Sequence, residues 1–323
     1  MSVANKSLKA HLDEARKQYF AKNKPVESWT KQPERKENEV SVYYKICKYL
    51  PFEVTNKRVK GWEHTRSLPD GGYIETRAHE TITPGDIFVL ISAIKVFQDN
   101  FKSVVPSVDD GKKMLSVTIN YSEFAKKYIR SHDKNKLLKT LKRLFSYHAF
   151  WHAQDGTVQA QRYLYDFSLD AGQKNLTLTI SKGFADLCND YGWLIKFEQL
   201  QDINSPTARA LFLYLSCNTG CEFKQETIEH WLDMKRGDNK AKSASDNKRQ
   251  IVKAMEELKA AGIISCHNIT KKGNFQIVPC DHKQSVATVE NDRCTHISSP
   301  ATVEIVPCDR MAVSETPVET VEI

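Results

Sequence analysis

The sequence predicts an α+β protein built from two tandem modules, on three observations. The element order helix, strand, short helix, basic helix, β-hairpin can be read twice along the chain, which is the order of a winged helix, a helix-turn-helix with a β-wing. The chain has 323 residues, roughly twice a common domain length. Its charge is also unevenly spread. The net is +7, yet residues 282–323 hold three basic and seven acidic side chains, leaving 44 basic and 33 acidic in residues 1–281, a net of +11. A basic body with an acidic tail points to a polyanionic partner, nucleic acid ahead of an anionic membrane surface.

Residues 1–39 read as a polar N-terminal arm ending in KQPERKENE, and concentrated apolar residues begin near Val40 with VSVYYKICKYLPFEV. The runs RVKGWEHTRSL and YIETRAHETI flank PDGG and predict a hairpin. Thr83-Pro84-Gly85-Asp86 then supplies a cap, a first-turn proline and an acidic dipole partner, so Ile87–Phe97 is a buried helix. A loop containing Pro106 and Asp109-Asp110-Gly111 leads to a strand, LSVTI, and a short helix from Tyr121 to Ile129 entered through Asn120 or Ser122. In the next helix Leu137, Leu141 and Leu144 form the apolar stripe, with Lys134, Lys136, Lys139, Lys142 and Arg143 opposite. VQAQRYLYDFSL and NLTLTI, joined at 170–174, read as the first wing, completing an N-terminal winged-helix domain over 40–180.

The order then recurs over 181–281. SPTARALFLYLSC opens on a Ser205 cap and Pro206, residues 221–224 read as a short strand, and QETIEHWLDM as a short helix. KRGDNKAKSAS is a polar turn into DNKRQIVKAMEELKAAG, a helix starting near Ser245 with Ile251, Met255 and Leu258 inward and Gly262 closing it. IISCHNIT and FQIV, around Lys271-Lys272-Gly273-Asn274, form the second wing. The tail, 282–323, repeats IVPCD and ATVE without helical periodicity and reads as disordered.

The second winged helix carries the base-reading expectation. Ser243, Ser245, Asn247, Lys248 and Arg249 occupy its recognition-helix start, where Asn247 and Arg249 suit bidentate contacts to adenine and guanine. Lys240, Lys242, Lys253, Lys271 and Lys272 suit phosphates, and Asn274 belongs to the same wing tip. In the first module Lys134, Lys136, Lys139 and Arg143 suit DNA backbone contact or a dimer surface.

Catalytic signatures are absent. Gly111-Lys112 has Pro106 and Lys113 where a phosphate loop needs Gly and a hydroxyl, and no histidine has another two positions away. His148 and His152 have metal-ligand spacing for a helix but no intervening Glu. The eight cysteines lack a zinc-type pairing and read as free thiols, so no metal and no cofactor is expected. The longest apolar run, eleven residues with Lys95 inside, is too short to span a bilayer. A soluble, cytoplasmic, non-enzymatic protein is expected.

With SPTARALFLYLSC opening the second module, DNKRQIVKAMEELKAAGII closing its helical part and ISKGFADLC before it, the chain resembles the replication initiator (Rep) proteins of iteron-containing bacterial plasmids over about residues 40–281, and within that family the broad-host-range IncW kind. The resemblance implies monomer binding to tandem direct repeats in double-stranded origin DNA, melting of adjacent AT-rich DNA, and recruitment of a host initiator and replicative helicase. It also implies a dimer that represses its own gene, base reading by the helix near Ser245 and dimerisation through 40–180. A winged-helix transcriptional repressor is the alternative. Lys271→Ala is expected to weaken specific and non-specific DNA binding alike, measured as parallel losses on cognate and random duplexes.

Overall fold

The computed structural model describes residues 35–279 except 56–57, 69–70, 110–111, 132, 173, 219–221, 235–239 and 271–273, and describes the backbone alone at Asp109, 240–242 and Pro279. The arm before Arg35, the acidic tail, the side chains of Lys240 and Lys242, and both wing-tip lysines, Lys271 and Lys272, lie outside the described residues.

Packed structure starts before Val40. Arg35 donates to the Glu39 carbonyl and to Asp99, and buried Lys95 donates to the Glu37 carbonyl, so residues 35–39 are tied to the body rather than extending from it. Strand β1 (Glu39–Tyr43) pairs antiparallel with β10 (Gly192–Lys196), placing Val40 opposite Ile195. The clasp is tight because residue 192 is glycine. A Cβ there would lie 1.8 Å from Ser41 Oγ and 1.9 Å from the Cys188 carbonyl oxygen. The short α1 (Tyr44–Tyr49) follows β1.

Strands β2 (Lys60–Ser67) and β3 (Tyr73–Glu80) form the expected hairpin, with Trp62, Ile74 and Ala78 inward. Helix α2 (Pro84–Asp99) has the expected start as a complete capping box, Thr83 and Asp86 satisfying each other's backbone amides. It is buried on nearly every side, which explains why its sequence is apolar all round.

Three expectations change here. The loop containing Pro106 and Asp109 is instead strand β4 (Val105–Asp109), paired with β5 (Lys112–Asn120). β4 is an edge strand, where a proline's missing N–H costs no ladder bond. The helix from Tyr121 begins as α3 (Tyr121–Glu123), capped by Asn120, and continues as a π-helix, Phe124–Ile129, stopped by Arg130 at φ 52°. After α4 (Lys134–Phe145) come β6 (His148–His152), β7 (Val158–Arg162), β8 (Asp166–Leu169) and β9 (Asn175–Ser181). VQAQRYLYDFSL is therefore two strands, not one. Tyr163 and Leu164 plunge into the core between them, and the chain changes sheets, giving the orders β2-β3-β6-β7 and β4-β5-β9-β8. His148 and His152 lie on a strand, so their spacing has no helical meaning.

The remaining elements are α5 (Lys182–Asp190), β10, α6 (Phe197–Asp202), α7 (Pro206–Cys217), β11 (Glu222–Phe223), α8 (Gln225–Trp231), α9 (Lys240–Ala260), β12 (Ile264–Ile269) and β13 (Phe275–Pro279). The last three strands make a sheet ordered β11-β13-β12. Helix α9 ends in a Schellman turn, with Gly262 at φ 66° and bonds from Ile263 N to Leu258 O and Gly262 N to Lys259 O. One apolar core runs from Val40 to Ile277.

Polar ties fix the helices within that core. Asp86 is fully buried and accepts from the Arg143 Nε (3.0 Å) and Nη2 (2.7 Å), from Arg58, and from the Thr83 amide and hydroxyl. Buried Arg66 on β2 donates to the Tyr49 carbonyl at the end of α1 and the Trp231 carbonyl at the end of α8. Glu257 on α9 accepts from the amides of Asn204 and Ser205, closing the start of α7. Burial pushes the Glu257 carboxyl up, but those amides and the nearby Arg209 charge outweigh it and hold the carboxyl below its ordinary value.

Asp86→Asn removes the charge that compensates two arginines and is expected to cost about 3–5 kcal/mol, read by thermal or denaturant unfolding. Because the folded Glu257 carboxyl is more acidic than the unfolded one, its contribution to stability is present above the ordinary carboxylate range and is lost as pH falls through the folded value. Stability measured against pH should therefore fall less steeply on the acid side in Glu257→Gln than in the wild-type protein.

Candidate nucleic-acid interface

The C-terminal basic residues sit on one long helix. Helix α9 starts at Lys240 rather than near Ser245, so Asn247 and Arg249 lie two turns inside it instead of at its first exposed amides. Its start is held against α8 by Gln225, whose Nε2 donates to the Ala244 carbonyl and to Glu229, both at 2.7 Å. Ser243 is half-buried there.

The inward stripe, Ile251, Met255 and Leu258, sets the phase of the helix. Asn247 precedes Ile251 by one turn and falls on the same face, where it is only 7% exposed. It is therefore not available to a base, and the assignment of adenine reading to Asn247 is corrected: its amide points into the protein, with Nδ2 unpartnered among the described residues. Lys248 is half-buried. The outer face carries Ser245, Arg249, Gln250 and Lys253. Arg249 has an 80% exposed side chain, and among the described residues its ion-pair partner is Asp246 at 3.7 Å. Gln250 was not singled out by sequence reasoning, although the phase of Ile251 already places its neighbour outward.

The β12–β13 hairpin differs from expectation at Asn274. Its backbone closes the turn with Thr270, and its side-chain amide donates to Glu222 at 2.7 Å. This joins β12–β13 to β11, so Asn274 braces the hairpin rather than presenting a free amide.

In the first module, α4 is capped by Asp133, whose carboxylate accepts from the Lys136 amide. Lys136, Lys139 and Lys142 are exposed on its outer face. Lys134 lies over the Tyr121 ring at 5.6 Å. Arg143 is removed from the predicted contact set: it is 8% exposed and bound to Asp86, Glu80 and Thr140, so its charge is spent inside the fold. An arginine one turn after Lys139 reads as surface in a sequence; only the buried carboxylate across from it reverses that reading.

Among the described residues no cluster of three His, Cys, Asp or Glu side chains could hold a metal ion, and no helix is long and apolar enough to cross a membrane. Two exposed cationic helix faces, one per half of the chain, thus have the electrostatics for phosphate contact, and Arg249 with Gln250 has the donors for base edges.

No protein-family model matches the sequence, and no curated protein matches it. Solved structures do. The crystal structure of domains 2 and 3 of RctB, as a selenomethionine derivative, superposes with a TM-score of 0.51 at 12% identity, covering 74% of this chain and 99% of that one. A second structure of RctB domains 2-3 gives 0.49 at 11% identity, covering 73% and 97%. At this identity the likeness is one of fold: the α+β arrangement spans both halves of the described chain and nearly the whole of those two RctB domains.

Proposed function

We propose that the chain is a replication initiator that binds double-stranded DNA in a sequence-specific way through two winged-helix modules, 40–180 and 181–281, and does no catalysis. The observation that carries this reading is the exposed stripe Ser245, Arg249 and Lys253 on α9, because that helix follows α8 and precedes the β12–β13 hairpin, the position of a recognition helix. The excess of +11 over residues 1–281 supplies long-range attraction to phosphate. Support also comes from the shared fold with domains 2 and 3 of RctB, a replication initiator.

In this reading α9 enters the major groove, with Arg249 and Gln250 at base edges and Lys253 at phosphate. Lys136, Lys139 and Lys142 on α4 engage backbone. The sites are direct repeats at a plasmid origin, and binding them distorts adjacent AT-rich DNA and brings in the host initiator and replicative helicase. A dimer formed through the N-terminal module represses the chain's own gene. The protein acts in the bacterial cytoplasm, on its replicon.

Selection of duplexes from a random pool, followed by footprinting on the encoding replicon, tests this. Several protected tandem copies beside AT-rich DNA are expected, whereas a single palindrome near a promoter would replace the initiator with the repressor. Arg249→Ala should cost about 1–3 kcal/mol of cognate binding and relax preference at one base pair, while Asn247→Ala leaves base preference unchanged. Lys139→Ala should weaken binding uniformly across sequences and reduce the salt slope by about one. Both follow from titrations at several salt concentrations.

A further inference from the structure

Bounded by the first turn of α2, the segment leading into α4 and the start of α7 lies a cavity of about 680 Å³, of whose lining the DNA reading uses only Lys136. That volume is in the range of small-molecule sites. Arg58, Arg130, Lys136, Arg143 and Arg209 line it, against Asp86, Asp133 and Asp202. The carboxylates are already committed. Asp86 is bound by Arg58 and Arg143, Asp133 caps α4, and Asp202 pairs with Arg130.

Arg209 is not committed in this way. Its Nε donates to the Ile203 carbonyl at 2.8 Å and its guanidinium lies over the Phe88 ring at 4.6 Å. Among the described residues, no acceptor meets Nη1 or Nη2. Nη1 instead stands 3.8 Å from where a Cβ of Gly85 would be, over the first turn of α2, in a cavity that three more arginines also line. Glu257, the acid whose charge acts on Arg209, has its oxygens on the Asn204 and Ser205 amides. The two terminal nitrogens of this half-buried guanidinium are open to the cavity, and its planar fork matches a phosphate. Val89, Ile129 and Leu137 add an apolar wall.

We propose that this cavity binds a small phosphorylated metabolite of the nucleotide class, with the phosphates on Arg209 and Arg130 and the ring against the apolar wall. It is a binding site, with no bond made or broken. Such a ligand would touch α2, α4 and α7 together and stiffen the junction between the two halves of the chain.

The test is calorimetric titration of the full chain with ADP, and with adenosine in parallel, in the absence of DNA. Saturable ADP binding is expected, with no binding of adenosine. Arg209→Gln should weaken it at least tenfold and Arg209→Lys less. Arg130→Gln, at a half-exposed position whose loss leaves the core intact, should weaken it several-fold even if the Arg209 variants prove unstable. Lys139→Gln should lower DNA affinity and leave ADP binding as it was, so the two readings can fail separately. Absence of saturable ADP binding at millimolar concentration would overturn the proposal. So would a loss of ADP binding in Lys139→Gln but not in Arg209→Gln or Arg130→Gln, since the anion would then sit on the DNA-facing surface.

Discussion

A carboxylate with no exposed surface, Asp86, has to be neutralised where it lies, and much of the first half of the chain is arranged to do so. It reaches back to cap α2 through Thr83, and it draws Arg143 from α4 and Arg58 from the segment before β2 onto its two oxygens. A charge removed from water is tolerated only when partners and hydrogen bonds replace the hydration shell. Here the partners come from three places far apart in sequence. The same contacts that stabilise the charge therefore fix the angle between the buried helix and the basic helix α4, and so decide which lysines of α4 face outward.

Side-chain ties to backbone groups hold the helices of the second half, one reaching in from the first half and two lying within the second. Arg66 serves the last carbonyls of α1 and α8, Glu257 serves the first amides of α7, and Gln225 fastens the beginning of α9 to α8. Helix ends carry unsatisfied amides and carbonyls in any fold. Using side chains from neighbouring elements to meet them makes the helix ends into joints. The β1–β10 clasp adds a joint of another kind, closed by the absence of a side chain at Gly192. The cationic face of α9 is thus carried on a helix whose rotation and start are both determined by contacts elsewhere.

Local sequence signals held wherever the physics was local. The capping box at Thr83, the Asn120 and Ser205 caps, the Schellman glycine at 262 and the hairpin across residues 60–80 were all legible, because each depends on residues within a few positions of one another. The α+β class followed from the order of those elements. The stripe of Ile251, Met255 and Leu258 was legible too, and followed one turn back it already places Asn247 inside. The phase of the helix, not the hydrogen-bonding chemistry of an amide, decides where Asn247 lies.

What the sequence by itself determined, then, was the hairpin over residues 60–80, the helices α2, α4 and α7, several of the caps, and an excess of positive charge over the body of the chain. Tertiary structure alone decided the rest. Edge position let β4 form through Pro106, two buried residues sent a single alternating run into two sheets, and a distant carboxylate turned Arg143 from a surface cation into part of the core. The physical reason is that strand partners and the partners of buried charges come from residues tens of positions away. No spacing rule within a segment encodes them, whereas helix propensity and capping are settled within a turn or two of the chain.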